Sequence, residues 1–170
     1  GYSLGNGYSY ELALGDVDGD GDLDAFIANG YYGKANKVWL NNGYGGFTDS
    51  MLSLGNAQSI GIALGDLDGD DDLDAFVANH YYSGSDKVWL NNSHGTFMDS
   101  GLALGHVNGR AWSVALGDLD GDCDLDAFVA NYNGWANKVY MNTSDVPGSL
   151  PCNPAIPGGA SCGDDDDDTD

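Results

Sequence analysis

The sequence predicts an all-β protein of three tandem four-stranded antiparallel units, set side by side as an open array. Three observations carry this. The stretches "ALGDVDGDGDLDAFIAN", "ALGDLDGDDDLDAFVAN" and "ALGDLDGDCDLDAFVAN" recur with acidic runs starting at Asp16, Asp66 and Asp118, a period of 50 and then 52 residues. Periods of that size belong to solenoid and propeller units. Each copy is followed by a second shared block, "NKVWLNNGYGGFTDS", "DKVWLNNSHGTFMDS" and "NKVYMNTSDVPGSLP". Composition agrees: 27 glycines, 11% aromatics and few strong helix formers favour strands and turns.

Within a unit the first strand is expected in a stretch such as "SIGIALGD", the second in "DAFVAN", the third in "KVWLNN" and the fourth in "GTFMDSGLALG". These segments are short, rich in Val, Phe, Trp and Tyr, and bounded by Gly, Asn and Asp, the pattern of strands joined by tight turns. Four strands in a repeat of this length is the plan of a propeller blade. The units fall at residues 1–50, 51–101 and 102–146, with a tail at 147–170. Phe47 and Phe97 mark a fourth strand in the first two units, but the third runs into "TSDVPGSLPCNPAIPGG", so its last strand is expected to be missing. Trp39, Trp89 and Tyr140 share one repeat position and read as blade-core packing rather than a sugar platform.

The formal charge of -22 comes from 26 aspartates and one glutamate, Glu11, against five lysines and arginines. A need for solubility alone would draw on glutamate too, so the bias indicates short carboxylates placed by geometry. Nucleic acid and anionic membrane surfaces are poor partners for such a chain. No apolar run reaches the ~18 residues of a membrane span. The opening "GYSLGNGYSY", without Met, is compatible with a processed product.

The acidic runs need a chemical reason, because neighbouring carboxylates ~4 Å apart repel by about 1 kcal/mol in water and more near a protein surface. In the first, Asp16, Asp18 and Asp20 hold positions 1, 3 and 5, Gly21 position 6 and Asp24 position 9. Carboxylates at alternate positions of a tightly turning loop converge on one centre, and glycine lets the backbone bend there. A hard divalent cation removes the repulsion. Calcium fits best, since it accepts six to eight oxygens in flexible geometry. The second loop offers Asp66, Asp68, Asp70 and Asp74, and the third Asp118, Asp120, Asp122 and Asp126. Position 7, held by Asp22, Asp72 or Asp124, is expected to give its backbone carbonyl. The helix-flanked calcium loop is excluded, because it requires a Glu at position 12, here Ile27, Val77 or Val129. The nonapeptide calcium roll is excluded by the lack of tandem "GGxGxD". A merely solvated acidic turn does not explain three copies at fixed spacing.

Through "GDVDGDGDLDAF", "NKVWLNN" and "GGFTDS" the repeat resembles the FG-GAP and VCBS family, the calcium-loop blade of integrin-alpha-type propellers and of many secreted microbial proteins. The resemblance spans about residues 3 to 143. It implies four-stranded blades, a calcium-binding hairpin between two of the strands, the ligand positions already given and an extracellular setting. Two departures occur at position 6, where the family prefers Gly and this chain has Asp71 and Cys123. Propellers of the family usually close with about seven blades, and this chain holds three. Two open ends of a repeat array are complementary by construction, and such a head-to-tail contact closes as a ring or runs on as a filament. Exposed blade edges are otherwise an aggregation hazard. A homo-oligomer, extended as a fibre, is therefore expected, unless the chain is a piece of something longer.

The tail carries Cys152 and Cys162, ten residues apart, a candidate local disulfide that fits an oxidising exterior. Cys123 is then odd, either a buried free thiol or a bond to another chain. The closing "GDDDDDTD" reads as a solvated tail. Asn91 and Asn142 head glycosylation sequons. Tyr31, Tyr32, Tyr81, Tyr82, Tyr132 and Trp135 look exposed and suit either a sugar ring or a neighbouring subunit. His80, His94 and His106 sit at non-equivalent places, which argues against shared catalysis or zinc. No nucleophile–base set stands out and basic residues are scarce, so no enzyme activity is expected. The leading reading is an extracellular calcium-binding structural or adhesive building block. The alternatives are a carbohydrate-binding module, or part of a larger polysaccharide-active propeller protein.

Overall fold

Each short apolar run forms a strand that turns back on the one before it. The computed structural model describes residues 3–31, 33–80, 84–105 and 109–143. The first sheet holds β1 (Ser9–Gly15), β2 (Asp24–Asn29), β3 (Lys37–Asn41) and β4 (Phe47–Asp49) in sequential order. The second repeats it with β5 (Ser59–Gly65), β6 (Asp74–Asn79), β7 (Lys87–Leu90) and β8 (Met98–Asp99). The third contains β9 (Ala111–Gly117), β10 (Asp126–Asn131) and β11 (Lys138–Tyr140). All pairings are antiparallel, and among the described residues the third sheet stops at three strands. This is the all-β, open-blade architecture the repeats predict.

The second strand of each blade is its spine. It begins at the ninth-position aspartate, so Asp24 faces Gly15, Asp74 faces Gly65 and Asp126 faces Gly117 across the first hairpin. The acidic loop is therefore the connection between the first two strands of every blade, and β2 and β6 are almost wholly buried.

The fourth strands are shorter than "GTFMDSGLALG" suggests. Asp49 Oδ1 accepts the Met51 amide at 2.8 Å and Asp99 Oδ1 the Gly101 amide at 2.9 Å, and both donors of these turns, Met51 and Gly101, have positive φ. This aspartate turn ends the strand. The chain then touches its own blade once more through single bridges, Asn36 to Leu54 and Asp86 to Leu104.

Blades stack face to face, with β5 against both β1 and β9. Val17, Phe26 and Val38 of the first blade pack on Ile62, Val77 and Phe97 of the second, where Phe26 and Phe97 meet edge-on at 5.2 Å. Phe76 and Val88 continue the pattern against Val114 and Val129 of the third. At the seams glycine is required: a Cβ on Gly15 would stand 2.6 Å from Leu73 Cδ1, and one on Gly65 2.6 Å from Leu125 Cδ1. Each third-strand aromatic lies beneath a left-handed glycine of the preceding linker, Trp39 under Gly5, Trp89 under Gly55 and Tyr140 under Gly105. These aromatics are packing groups, as their shared repeat position suggests.

Candidate metal centres

The three acidic loops fold alike because the first aspartate of each caps the backbone that follows it. Asp16 Oδ1 accepts the amides of Gly19 at 2.8 Å and Asp20 at 3.1 Å, and its Oδ2 accepts that of Gly21 at 2.8 Å. Asp66 does the same for Gly69, Asp70 and Asp71. Asp118 receives Gly121 and Cys123. This wrap needs a left-handed residue at positions 4 and 6. Position 4 is glycine throughout, while position 6 is Gly21 at φ 91°, Asp71 at 69° and Cys123 at 76°. A left-handed L-residue costs about 1–2 kcal/mol, partly offset by glycine's greater freedom when unfolded. Asp71→Gly is therefore expected to stabilise the protein by about 0.5–1 kcal/mol, read from urea denaturation; a clear loss would mean the Asp71 side chain has a role of its own.

The turns gather carboxylates. Oxygens of Asp16, Asp18 and Asp24 lie within 4.8 Å of one another, as do those of Asp66, Asp68 and Asp70, and those of Asp118, Asp120 and Asp122. Asp20, Asp74 and Asp126 stand outside these groupings, and so do the position-7 residues. Asp72 accepts the hydroxyl of Ser93, and Asp22 lies against Gly43, where a Cβ would collide with its carboxylate.

The ninth-position carboxylate is a staple. Asp24 Oδ2 accepts the amide of Val17 at 3.0 Å and Oδ1 that of Asn41 at 2.7 Å. Asp74 takes Leu67 and Asn91, and Asp126 takes Leu119 and Asn142, at 2.7–2.9 Å. All three carboxylates are fully buried. Each joins the second residue of its loop to the end of its third strand, and so fixes the loop on the blade.

Position 3 carries a raised carboxyl in all three loops. Burial raises Asp18, with the charges of Asp24 and Asp20 adding to it. Burial raises Asp68 as well, helped by Asp70 and Asp66, and Asp120 is raised in the same way, with Asp122 adding to it. Burial pushes Asp74 up to about 6. The same position is thus driven toward its protonated form in every loop, as expected where an anion cluster has no counter-charge. Asp68 Oδ1 is buried without a hydrogen-bond partner among the described residues. An orphaned carboxylate oxygen inside an all-oxygen cluster fits a hard cation, and the donor set suits calcium rather than a soft metal.

Other candidate residues fall elsewhere. The side-chain amides of the sequon residues Asn91 and Asn142 are engaged between blades. Asn91 is 6% exposed, and its Nδ2 donates to Val17 O at 2.7 Å and Leu73 O at 3.2 Å; Asn142 Nδ2 donates to Leu67 O at 2.9 Å. Both are inter-blade clamps. The signal for them was a polar residue at one fixed repeat position, two places after Trp89 and Tyr140. Glu11 is a further clamp that sequence reasoning missed, its Oε2 accepting the Ile62 amide at 3.0 Å.

Cys123 is disulfide-bonded and not a free thiol. The chain's three cysteines allow one intrachain bond, so a bonded Cys123 and the expected Cys152–Cys162 pair exclude each other within one chain; Cys152 and Cys162 lie outside the described residues, as do Tyr32, Tyr81, Tyr82, His106 and the acidic tail. Tyr31 is exposed and stacks on Tyr8 at 4.5 Å, while exposed Tyr132 stacks on Trp112 at 5.1 Å; Trp135 is also exposed. His80 is buried beside Trp112 and Tyr132, and His94 Nδ1 sits 2.9 Å from Asn92 O, so the two have nothing in common. A cleft of about 150 Å3 opens between the first two blades, lined among others by Asn56, Ser85, Lys87, Trp89 and Asp99.

Sheets of this kind, each with an acidic hairpin between its first two strands, define a tandem blade-repeat protein. The FG-GAP-like repeat family model matches residues 16–77 and again 66–129, and the chain belongs to that family. No curated protein matched the chain in a sequence search. No helix among the described residues is long and apolar enough to cross a membrane.

Proposed function

We propose that this chain is an extracellular calcium-binding building block, structural or adhesive in role and without catalytic activity, whose open blades meet those of further copies. The observation that carries the calcium reading is the orphaned, buried Asp68 Oδ1 within a carboxylate cluster, a cluster of three being present in each of the three loops and sharing positions 1 and 3. The residues that would hold the ions are Asp16, Asp18 and Asp24, then Asp66, Asp68 and Asp70, then Asp118, Asp120 and Asp122, with Asp74 and Asp126 positioned behind the latter two. A bound divalent cation would neutralise carboxylates that otherwise repel. An ion that binds the folded loop and hardly the unfolded chain adds stability by mass action, about 3 kcal/mol per site at a hundredfold excess over Kd.

The disulfide at Cys123 supports an oxidising compartment. The non-enzymatic reading is supported by the scarcity of basic residues and by the enclosure of His80 among aromatic rings. The cleft between the first two blades favours carbohydrate binding as the second reading, because amides, hydroxyls and an indole are the groups that recognise sugars. Its lining is not repeated at the next seam, where Ala111 and Tyr140 replace Ser59 and Trp89.

Thermal unfolding of the full chain in millimolar calcium, in magnesium and in chelator tests the main reading. A melting temperature raised by calcium well beyond magnesium supports it. Equal melting in all three would sink it, and a shift caused by a free sugar in a glycan panel would bring the second reading forward.

A further inference from the structure

The two end faces of the array repeat the two halves of its internal seams. Each internal seam has a knob, a hole and a latch. The knob is a leucine pair, Leu64 with Leu73 or Leu116 with Leu125, and the hole is the glycine it packs on, Gly15 or Gly65. The latch is the clamp asparagine: Asn91 Nδ2 donates to Val17 O at 2.7 Å, and Asn142 Nδ2 to Leu67 O at 2.9 Å. At the first seam the Gly95 amide adds a second donor to Val17 O at 2.9 Å. Val17 and Leu67 hold position 2 of their acidic loops, and their own amides are stapled by Asp24 and Asp74. The calcium loop of one blade thus presents the carbonyl that the next blade grips.

The same parts stand exposed at the ends. On the first blade the leucine pair is Leu14, 56% exposed, with Leu23, 57% exposed, and its clamp Asn41 reaches only Leu23 O of its own blade, at 3.1 Å. On the third blade the hole is Gly117, where a Cβ would meet no described atom within 4 Å. Leu119, at position 2 of the third loop, gives its amide to Asp126 and is 52% exposed, and no described residue donates to its carbonyl. Phe128 and Val139, whose equivalents Phe26 and Val38 are fully buried, are 43% and 46% exposed.

We infer that the first blade of one copy docks on the third blade of another, with Leu14 and Leu23 beside Gly117 and the Asn41 amide on the Leu119 carbonyl, and that calcium in the third loop sets this latch. The inference rests on the calcium-binding reading above and gives it a partner. A second copy is the occupant the faces fit, because the end faces continue an interface the chain already makes twice, and a heterologous contact of this kind propagates. The sequence beyond residue 143 contains neither the acidic loop nor the "KVWLNN" block that carry the knob and the clamp in each blade.

Sedimentation of the full chain over a range of concentrations, in millimolar calcium and in chelator, tests this, with calcium titrated into every variant. The wild type is expected to form higher-order species in calcium that dissociate in chelator. Gly117→Leu fills the hole where no described residue would be touched, and Leu14→Asp charges the knob; each is expected to weaken association at least about tenfold, the scale of 1.4 kcal/mol, with calcium stoichiometry unchanged. A wild type that binds calcium yet stays monomeric overturns the docking inference alone, as do variants that associate undiminished. Association that ignores chelator overturns the calcium latch. A chain that binds no calcium overturns the underlying reading instead.

Discussion

Asp74→Ala is expected to cost about 2–5 kcal/mol whether or not calcium is present, while Asp66→Ala costs about 3 kcal/mol in millimolar calcium and little in chelator. The two belong to one loop, but their oxygens do different work. Asp74 is fully buried and receives the Leu67 amide at 2.9 Å and the Asn91 amide at 2.7 Å. Its loss leaves two donors without partners, about 1–3 kcal/mol each. Asp66 receives three amides on an exposed turn, where water replaces it, so its effect is felt only through the cation it would help to hold. Urea denaturation of both variants in calcium and in chelator separates the roles. Equal losses for Asp66→Ala in both conditions would count against a metal at that loop.

Asp86→Asn is expected to stabilise the protein by about 3 kcal/mol at neutral pH and not at all near pH 4. In the other blades this place belongs to Asn36 and Asn137, each accepting the amide at the end of the second strand at 3.0 Å, as Asp86 does at 2.8 Å. Burial pushes the Asp86 carboxyl up from 3.8 to about 6, and the Asn79 amide offsets only part of this. The second oxygen shares the space at Gly105 with the Tyr140 hydroxyl, whose own pKa is raised by burial and by the Asp86 charge. The folded pKa is therefore above the unfolded one. Below about 4 the group is protonated in both states and no penalty exists; the penalty grows between 4 and 6 and is complete above. An amide removes it, so denaturation of wild type and variant at matched pH should show the difference vanish on acidification. A difference constant with pH would assign the effect to packing.

Much of this architecture is written in local chemistry. The runs "DAFIAN" and "DAFVAN" become the second strand of every blade because small and β-branched residues suit a strand packed between neighbours, as in the first two blades, and the acidic loop is legible because its aspartates cap their own turn. What sequence could not show was which oxygens face the common centre and which hold the backbone. Asp74 and Asp126 look like further ligands in one dimension, yet in the fold both of their oxygens meet amides and they stand outside the carboxylate groupings, whereas Asp24 both staples the backbone and stays within reach of Asp16 and Asp18. Asn91 and Asn142 were hidden for a related reason. Their sequon is a property of three adjacent residues, whereas their contacts, to Val17 and Leu67, cross 74 and 75 residues of chain. Asp86 differs from Asn36 and Asn137 by one atom, and only its burial makes that atom matter.

Calorimetric titration of calcium into the metal-free full chain tests the central claim most directly. Three calcium ions per chain, with magnesium a poor competitor and one ion lost in Asp66→Ala, is the result this account predicts. No saturable uptake by the full chain at millimolar calcium would contradict it.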